Sequence, residues 1–187
     1  MPIFSEAATP AAALAETLVA RRRSPSTVPL PEVPGVYVLF LRSGATLPIE
    51  MEHSARVLYV GMTESSLELR DHFTAPSSGF STIRRSLGAL LKDDLTLSAT
   101  RRGPGPSRSN ITNYCFDTSG EQRLSDWMRR SLDVAVYPIS DDVRSLEASL
   151  INHLRPPLNL TGWKNPQRRI VMALRKACAN EAELERR

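Results

Sequence analysis

Two short apolar runs, each placing a tyrosine close to a glycine, constrain this 187-residue chain more than any other feature. The first is Pro34-Gly35-Val36-Tyr37-Val38-Leu39-Phe40-Leu41; the second is Val57-Leu58-Tyr59-Val60-Gly61. β-Branched and aromatic residues bounded by Pro and Gly read as strands. With almost no polar alternation, the strands are expected to be covered on both faces. A tyrosine in such a strand must find a hydroxyl partner or face a cleft. Arg42 to Ser54 then reads as a long hairpin loop, which makes the two strands antiparallel.

The remaining elements follow from periodicity and punctuation. Leu132 to Ile139 reads as a third strand ending at Pro138. Residues 5–22 form a weak helix, and the prolines of 24–31 form an extended linker, so the folded core is expected to begin near Val33. Ser65 or Ser66 is expected to cap a helix carrying Leu67, Arg70 and Phe73. Ser81 starts another, with Ile83, Leu87, Leu90 and Leu91 as its stripe and Arg84 and Arg85 beside it. Arg101 to Asn110 reads as an exposed basic loop, ordered only by a partner. Asn113 to Phe116 reads as a short strand, and Leu124, Trp127, Met128 and Leu132 mark a helix face. A helix from Asp141 to Leu154 starts at Ser140 and stops before Pro156-Pro157. Residues 165–185 form a packing helix. The architecture expected is α/β (α+β): a small three-stranded antiparallel sheet flanked by helices, with extra helices at both ends. Its divisions are 1–32, 33–162 with a basic insertion at about 74–131, and 163–187.

Charge and cysteine usage narrow the function. The net charge is +4, and residues 80–130 alone carry nine Lys or Arg against five Asp or Glu. Such a segment suits a polyanion or a solvated surface. Cys115 and Cys178, without a CxxC and with three histidines, exclude a zinc finger of usual spacing and fit buried thiols in a reducing compartment. No basic leader precedes an apolar stretch, and no run approaches the ~20 apolar residues of a membrane span. A cytoplasmic protein without a membrane is expected.

The chemistry centres on Glu147. At helical spacing it shares a face with Val143, Leu150, Ile151 and Leu154, where an unpartnered carboxylate costs several kcal/mol. An arginine, a hydrogen-bond set or a metal ion must answer it. Taken in order, Gly35-Val36-Tyr37, Tyr59-Val60-Gly61, Arg70, Glu147 with Leu150-Ile151, and Pro156-Pro157-Leu158-Asn159 resemble the motifs of the GIY-YIG nuclease superfamily over about residues 33–160.

That resemblance implies a divalent-metal-dependent endonuclease acting on DNA, with RNA left open. By the same resemblance Glu147 ligates Mg²⁺ or Mn²⁺, Arg70 holds the scissile phosphate, Tyr37 activates or positions water, Tyr59 supports the site and Asn159 closes it. Val36 and Val60 replace the isoleucines of the family name. Met62 stands where many members carry a lysine; His72 is the candidate replacement, its other reading being a histidine on a helix surface. Nucleic-acid contacts are expected from Arg84, Arg85, Arg101, Arg102 and Arg108. Target choice would come from residues 74–131, a homodimer or a partner protein. The competing class is a catalytically silent nucleic-acid-binding or regulatory module of the same fold.

Overall fold

A computed structural model of the protein describes residues 10–51, 54–73 and 78–184. The start of the first expected helix, His53 and residues 74–77 lie outside the described residues. The three strands form as their sequence demands: β1 (Gly35–Leu41), β2 (Val57–Thr63) and β5 (Leu132–Pro138) make an antiparallel sheet in the order β2-β1-β5. Two further strands, β3 (Ala99–Thr100) and β4 (Cys115–Phe116), pair with each other and, among the described residues, with no other strand.

β1 is the central strand, and all seven of its residues are buried. Alternation sends Tyr37, Leu39 and Leu41 to one core and Val36, Val38 and Phe40 to another. The first core is closed by α2 (Thr82–Leu90), α4 (Thr118–Ser131) and α6 (Arg168–Leu184), through Leu87, Leu124 and Val171. The second is closed by α5 (Val143–Leu154), through Leu150 and Ile151.

Four expectations change. The helix at the N-terminal side, α1 (Pro10–Arg21), buries Ala15 and Leu18 in the second core, and Arg23 bonds to Val134 through backbone N–H and C=O at 3.0 and 2.8 Å. The core therefore starts before Val33, because α5 leaves apolar sheet surface that α1 covers. The helix expected after Ser65 is a single 3₁₀ turn at Glu68–Arg70, since Asp71 leaves helical geometry. The basic loop has a fixed form: Ser107 caps the short α3 (Arg108–Thr112), and Asn110 bonds back to the Pro104 carbonyl at 2.9 Å. Before α5 the capping position is Asp142, in a left-handed conformation, and not Ser140. Among the described residues, no helix is long and apolar enough to cross a membrane.

Candidate active site

Register brings the two tyrosines together. Tyr37 pairs with Gly61 across the β1–β2 ladder while Tyr59 pairs with Leu39, so the phenols are diagonal neighbours with ring centroids 6.2 Å apart. Gly61 makes room for this: a Cβ there would lie 2.4 Å from both Cζ and the hydroxyl oxygen of Tyr37. β2 is an edge strand, and Asn159 holds its outer side. Its Oδ1 accepts from Val60 N–H and its Nδ2 donates to Val60 C=O, both at 2.8 Å. Asn159 is therefore a buried clamp on the residue between Tyr59 and Gly61, rather than a cap on its own loop.

Because the chain turns inward after Arg70, His72 is buried rather than displayed on a helix. Its Nε2 lies 2.8 Å from the Tyr37 hydroxyl and its Nδ1 lies 3.0 Å from Ser81 Oγ. Ser81 Oγ already accepts from Arg84 N–H at 3.2 Å, as the cap of α2. The Ser81 hydroxyl is buried and has no other acceptor among the described residues, so its proton belongs on the bond to Nδ1. The imidazole proton then sits on Nε2 and is donated to Tyr37. Tyr59 is a second hydrogen-bond partner for the Tyr37 hydroxyl, which therefore accepts from Nε2–H while its own proton turns to Tyr59, and the direction that satisfies all three groups is Ser81 to His72 to Tyr37.

Electrostatics agree with a neutral imidazole. Burial, reinforced by Arg70 and Arg84, pushes His72 down to about 4. Burial raises Tyr37 well above the usual phenol range, Tyr59 and Glu147 add to the rise, and Arg70 opposes it. Tyr59 is raised by burial and then by Glu147, with Arg70 again opposing. Tyr37, Tyr59, Arg70 and Glu147 thus act on one another as one cluster.

Arg70 is exposed, and its side chain makes no hydrogen bond or ion pair among the described residues. Glu147 is half-buried and equally without such a partner, so the structural ion pair that sequence reading allows is absent among those residues. Burial raises its carboxyl, with Arg144 and then Arg70 opposing. Arg144 itself is paired with Glu64. An orphaned, partly desolvated carboxylate fits a hard cation, and Mg²⁺ accepts a single protein carboxylate when water and substrate oxygens complete its shell. No group of three His, Cys, Asp or Glu suited to a metal occurs among the described residues.

A family model for the GIY-YIG catalytic domain matches residues 35–177. The chain belongs to the GIY-YIG family. No curated protein and no solved structure matches it. Membership in the GIY-YIG family makes this a nuclease domain, with nucleic acid as the substrate class. A cleft of about 860 Å³ between α1 and α5, lined by Ile139, Ser145 and His153 among others, holds none of the tyrosine, arginine or glutamate side chains above. Tyr37, Arg70 and His72 instead line a small separate cavity with Leu67 and Phe73, and the cluster meets solvent through the exposed Arg70 and the half-buried Tyr59 and Glu147.

The basic residues expected on nucleic acid divide. Arg84 and Arg85 are buried, which corrects their reading as surface cations. Arg84 pairs with Glu121 at 2.6 Å and donates to the His72 carbonyl at 2.7 Å. Arg85 donates to the carbonyls of Ser78 and Gly79 at 2.9 Å. Their side chains satisfy backbone groups inside the GIY-YIG domain and cannot reach a phosphate from there. Arg101 and Arg102 are half-buried, and Arg108 is exposed. Trp127 and Trp163 are half-buried packing residues. Sequence pattern reveals neither the bond of Ser81 to His72 nor the influence of Arg175 on Tyr59. The good capping position of Ser81 was visible, but its second bond was not.

Proposed function

We propose that this GIY-YIG domain is a divalent-metal-dependent endonuclease that hydrolyses phosphodiester bonds in DNA. The observation that carries the proposal is the series Ser81–His72–Tyr37, ending on a phenol that feels the charges of Arg70 and of Glu147, whose side chain has no bonded partner among the described residues. Tyr37 positions the attacking water through its hydroxyl, which accepts from the Nε2–H of His72 and keeps its own proton because burial raises its pKa, and the water's proton leaves to solvent. Oxygen of that water forms the new bond to phosphorus as the bond to the leaving oxygen breaks. Arg70 neutralises charge on the phosphate's non-bridging oxygens, and Tyr59 supports the phosphate from the neighbouring strand. Glu147 would hold Mg²⁺ or Mn²⁺, which supplies Lewis-acid neutralisation of phosphate charge and offsets the Glu147 charge that raises both phenols.

The absence of the common lysine does not favour a silent module. Met62 packs with the second core, away from Tyr37, while His72 supplies a polar group directly on the Tyr37 hydroxyl. The test is nicking of supercoiled plasmid with Mg²⁺ or Mn²⁺ by wild type, Glu147→Gln and Arg70→Ala, with a structured RNA assayed in parallel. Wild type is expected to cut DNA, and each variant to cut at least ~100-fold more slowly. Equal cutting by all three proteins, or none by any of them while folded, overturns the assignment.

A further inference from the structure

The turn that carries Arg70 presents more than that arginine. Glu68–Arg70 is a 3₁₀ turn flanked by Leu67 and Asp71. Two backbone bonds fasten it to the N-terminal linker: Leu67 N–H donates to the Val33 carbonyl at 2.9 Å, and Glu68 N–H to the Pro31 carbonyl at 3.2 Å. Side chains three residues apart eclipse on such a turn, so residues 67–71 fall into three rows. Leu67 and Arg70 line the small cavity that Tyr37 and His72 also line. Glu68 and Asp71 line a second cavity, of about 320 Å³. Leu69 stands alone in the third row and is 76% exposed.

The two cavities share Leu30, Phe73 and Val134 as walls, and size assigns them different contents. The one at Tyr37 measures about 10 Å³, room for about one water. The other falls at the small end of ligand pockets, which run ~300–1,000 Å³, and takes a flat ring the size of a nucleobase. Its shared apolar walls suit the faces of such a ring. Its polar groups are not equivalent. Arg129 is turned to the Phe73 carbonyl, to which it donates at 2.7 Å. Glu68 is exposed, and its carboxylate has no hydrogen bond or ion pair among the described residues. An ionised carboxylate only accepts, so a ring held there must donate. The exocyclic amino groups of cytosine, adenine and guanine do so, and thymine has none.

A single exposed leucine is ordinary in isolation. Leu69, however, sits between the arginine assigned to the scissile phosphate and a base-sized cavity, where it fits a wedge: apolar side chains inserted between base steps unstack them.

We propose that the 68–71 turn selects DNA with a displaced, amino-bearing base at the cut. Leu69 enters the base stack, Arg70 holds the scissile phosphate, and the base displaced beside that phosphate enters the larger cavity and donates to Glu68. The proposal rests on the endonuclease reading and names the substrate class of that same site: DNA with an unpaired base, not regular duplex.

The experiment uses the full chain carrying Glu147→Gln, so that fluorescent duplexes stay intact while their affinities are measured by anisotropy. A duplex with one bulged cytosine is expected to bind about tenfold tighter than the regular duplex, and about fivefold tighter than one with a bulged thymine. Ser26 is exposed at the rim of the larger cavity, so Ser26→Trp should narrow it and bring both ratios toward one. Glu68→Gln can donate as well as accept, so it should remove the cytosine-over-thymine ratio and keep the preference for a bulge. Leu69→Ala should lower the bulge preference several-fold. Equal affinity for bulged and regular duplex, in a protein whose binding still depends on Arg70, overturns the proposal and leaves the nuclease assignment standing. A bulge preference that survives Ser26→Trp overturns the cavity as its seat, and one that survives Leu69→Ala overturns the wedge. A cytosine-over-thymine ratio of one, or one unmoved by Glu68→Gln, overturns Glu68 as the acceptor. Absence of DNA binding by the folded Glu147→Gln protein overturns both readings.

Discussion

Two arginine–glutamate sets in this molecule have opposite fates. Arg84 and Glu121 are buried and bonded to each other: the pair closes at 2.6 Å, and Glu121 also accepts from Ser78 N–H at 3.0 Å and Phe116 N–H at 3.1 Å. Arg70 and Glu147 feel each other's charge, yet neither has a bonded partner among the described residues. Residue type is the same in both sets; satisfaction differs. The closed set stores its charges in the fold, while the open set leaves them for a ligand. They are also joined, because Arg84 grips the carbonyl of His72 and so fixes the histidine that serves Tyr37.

The comparison breaks most visibly if the closed pair proves dispensable. Arg84→Met or Glu121→Gln should destabilise the protein by about 3–5 kcal/mol, because each strands a buried partner; urea unfolding measures it, and a loss below ~1 kcal/mol would deny the pair its structural role. The open set should give the reverse signature. Arg70→Ala and Glu147→Gln should each slow cleavage by ~10²- to 10³-fold, about 3–4 kcal/mol in the barrier. Melting temperature should hold or rise, since folding raises the pKa of Glu147 and so disfavours its charged form. A fall in melting temperature like that of the Arg84 variants would erase the distinction.

His72 links the sets and makes stability depend on pH. Its pKa falls from 6.5 to about 4 on folding, so the unfolded chain binds the proton first as pH drops. The contribution is complete above pH 6.5 and is lost as pH falls through about 4, roughly 3 kcal/mol in all. Urea midpoints of wild type and His72→Gln across pH 7 to 4 should converge toward acid.

The sequence exposed what local pattern encodes. Strand runs with a period of two placed Tyr37 and Tyr59, and helical spacing placed Glu147 among apolar neighbours. Non-local satisfaction stayed hidden. Arg84 reads as a surface cation because the Glu121 that neutralises it lies 37 residues away. His72 reads as a surface histidine because helix continuation past Arg70 is plausible from propensity, whereas Asp71 turns extended and its Oδ1 accepts from Phe73 N–H at 2.7 Å. Arg175 is silent in the pattern of α6 because the groups it acts on, Tyr59 and Arg85, come from β2 and α2.

Ser81 belongs to both sets, and the smallest expected effect separates its two tasks. As the cap of α2 it satisfies Arg84 N–H, so Ser81→Ala should cost about 1 kcal/mol of stability. As the donor to His72 Nδ1 it places the imidazole proton on Nε2. Ser81→Asp keeps a capping oxygen but has no proton to give when ionised, so Nδ1 must become the donor and Nε2 an acceptor of the Tyr37 hydroxyl. Stability should recover in Ser81→Asp relative to Ser81→Ala, while imidazole ¹⁵N shifts report the opposite tautomer and cleavage stays slow. If Ser81→Asp instead restores cleavage with the proton on Nδ1, His72 acts by accepting from Tyr37, and the hydrogen-bond direction must be reversed. If both variants keep the proton on Nε2, the closed set alone orients His72, through Arg84 on its carbonyl.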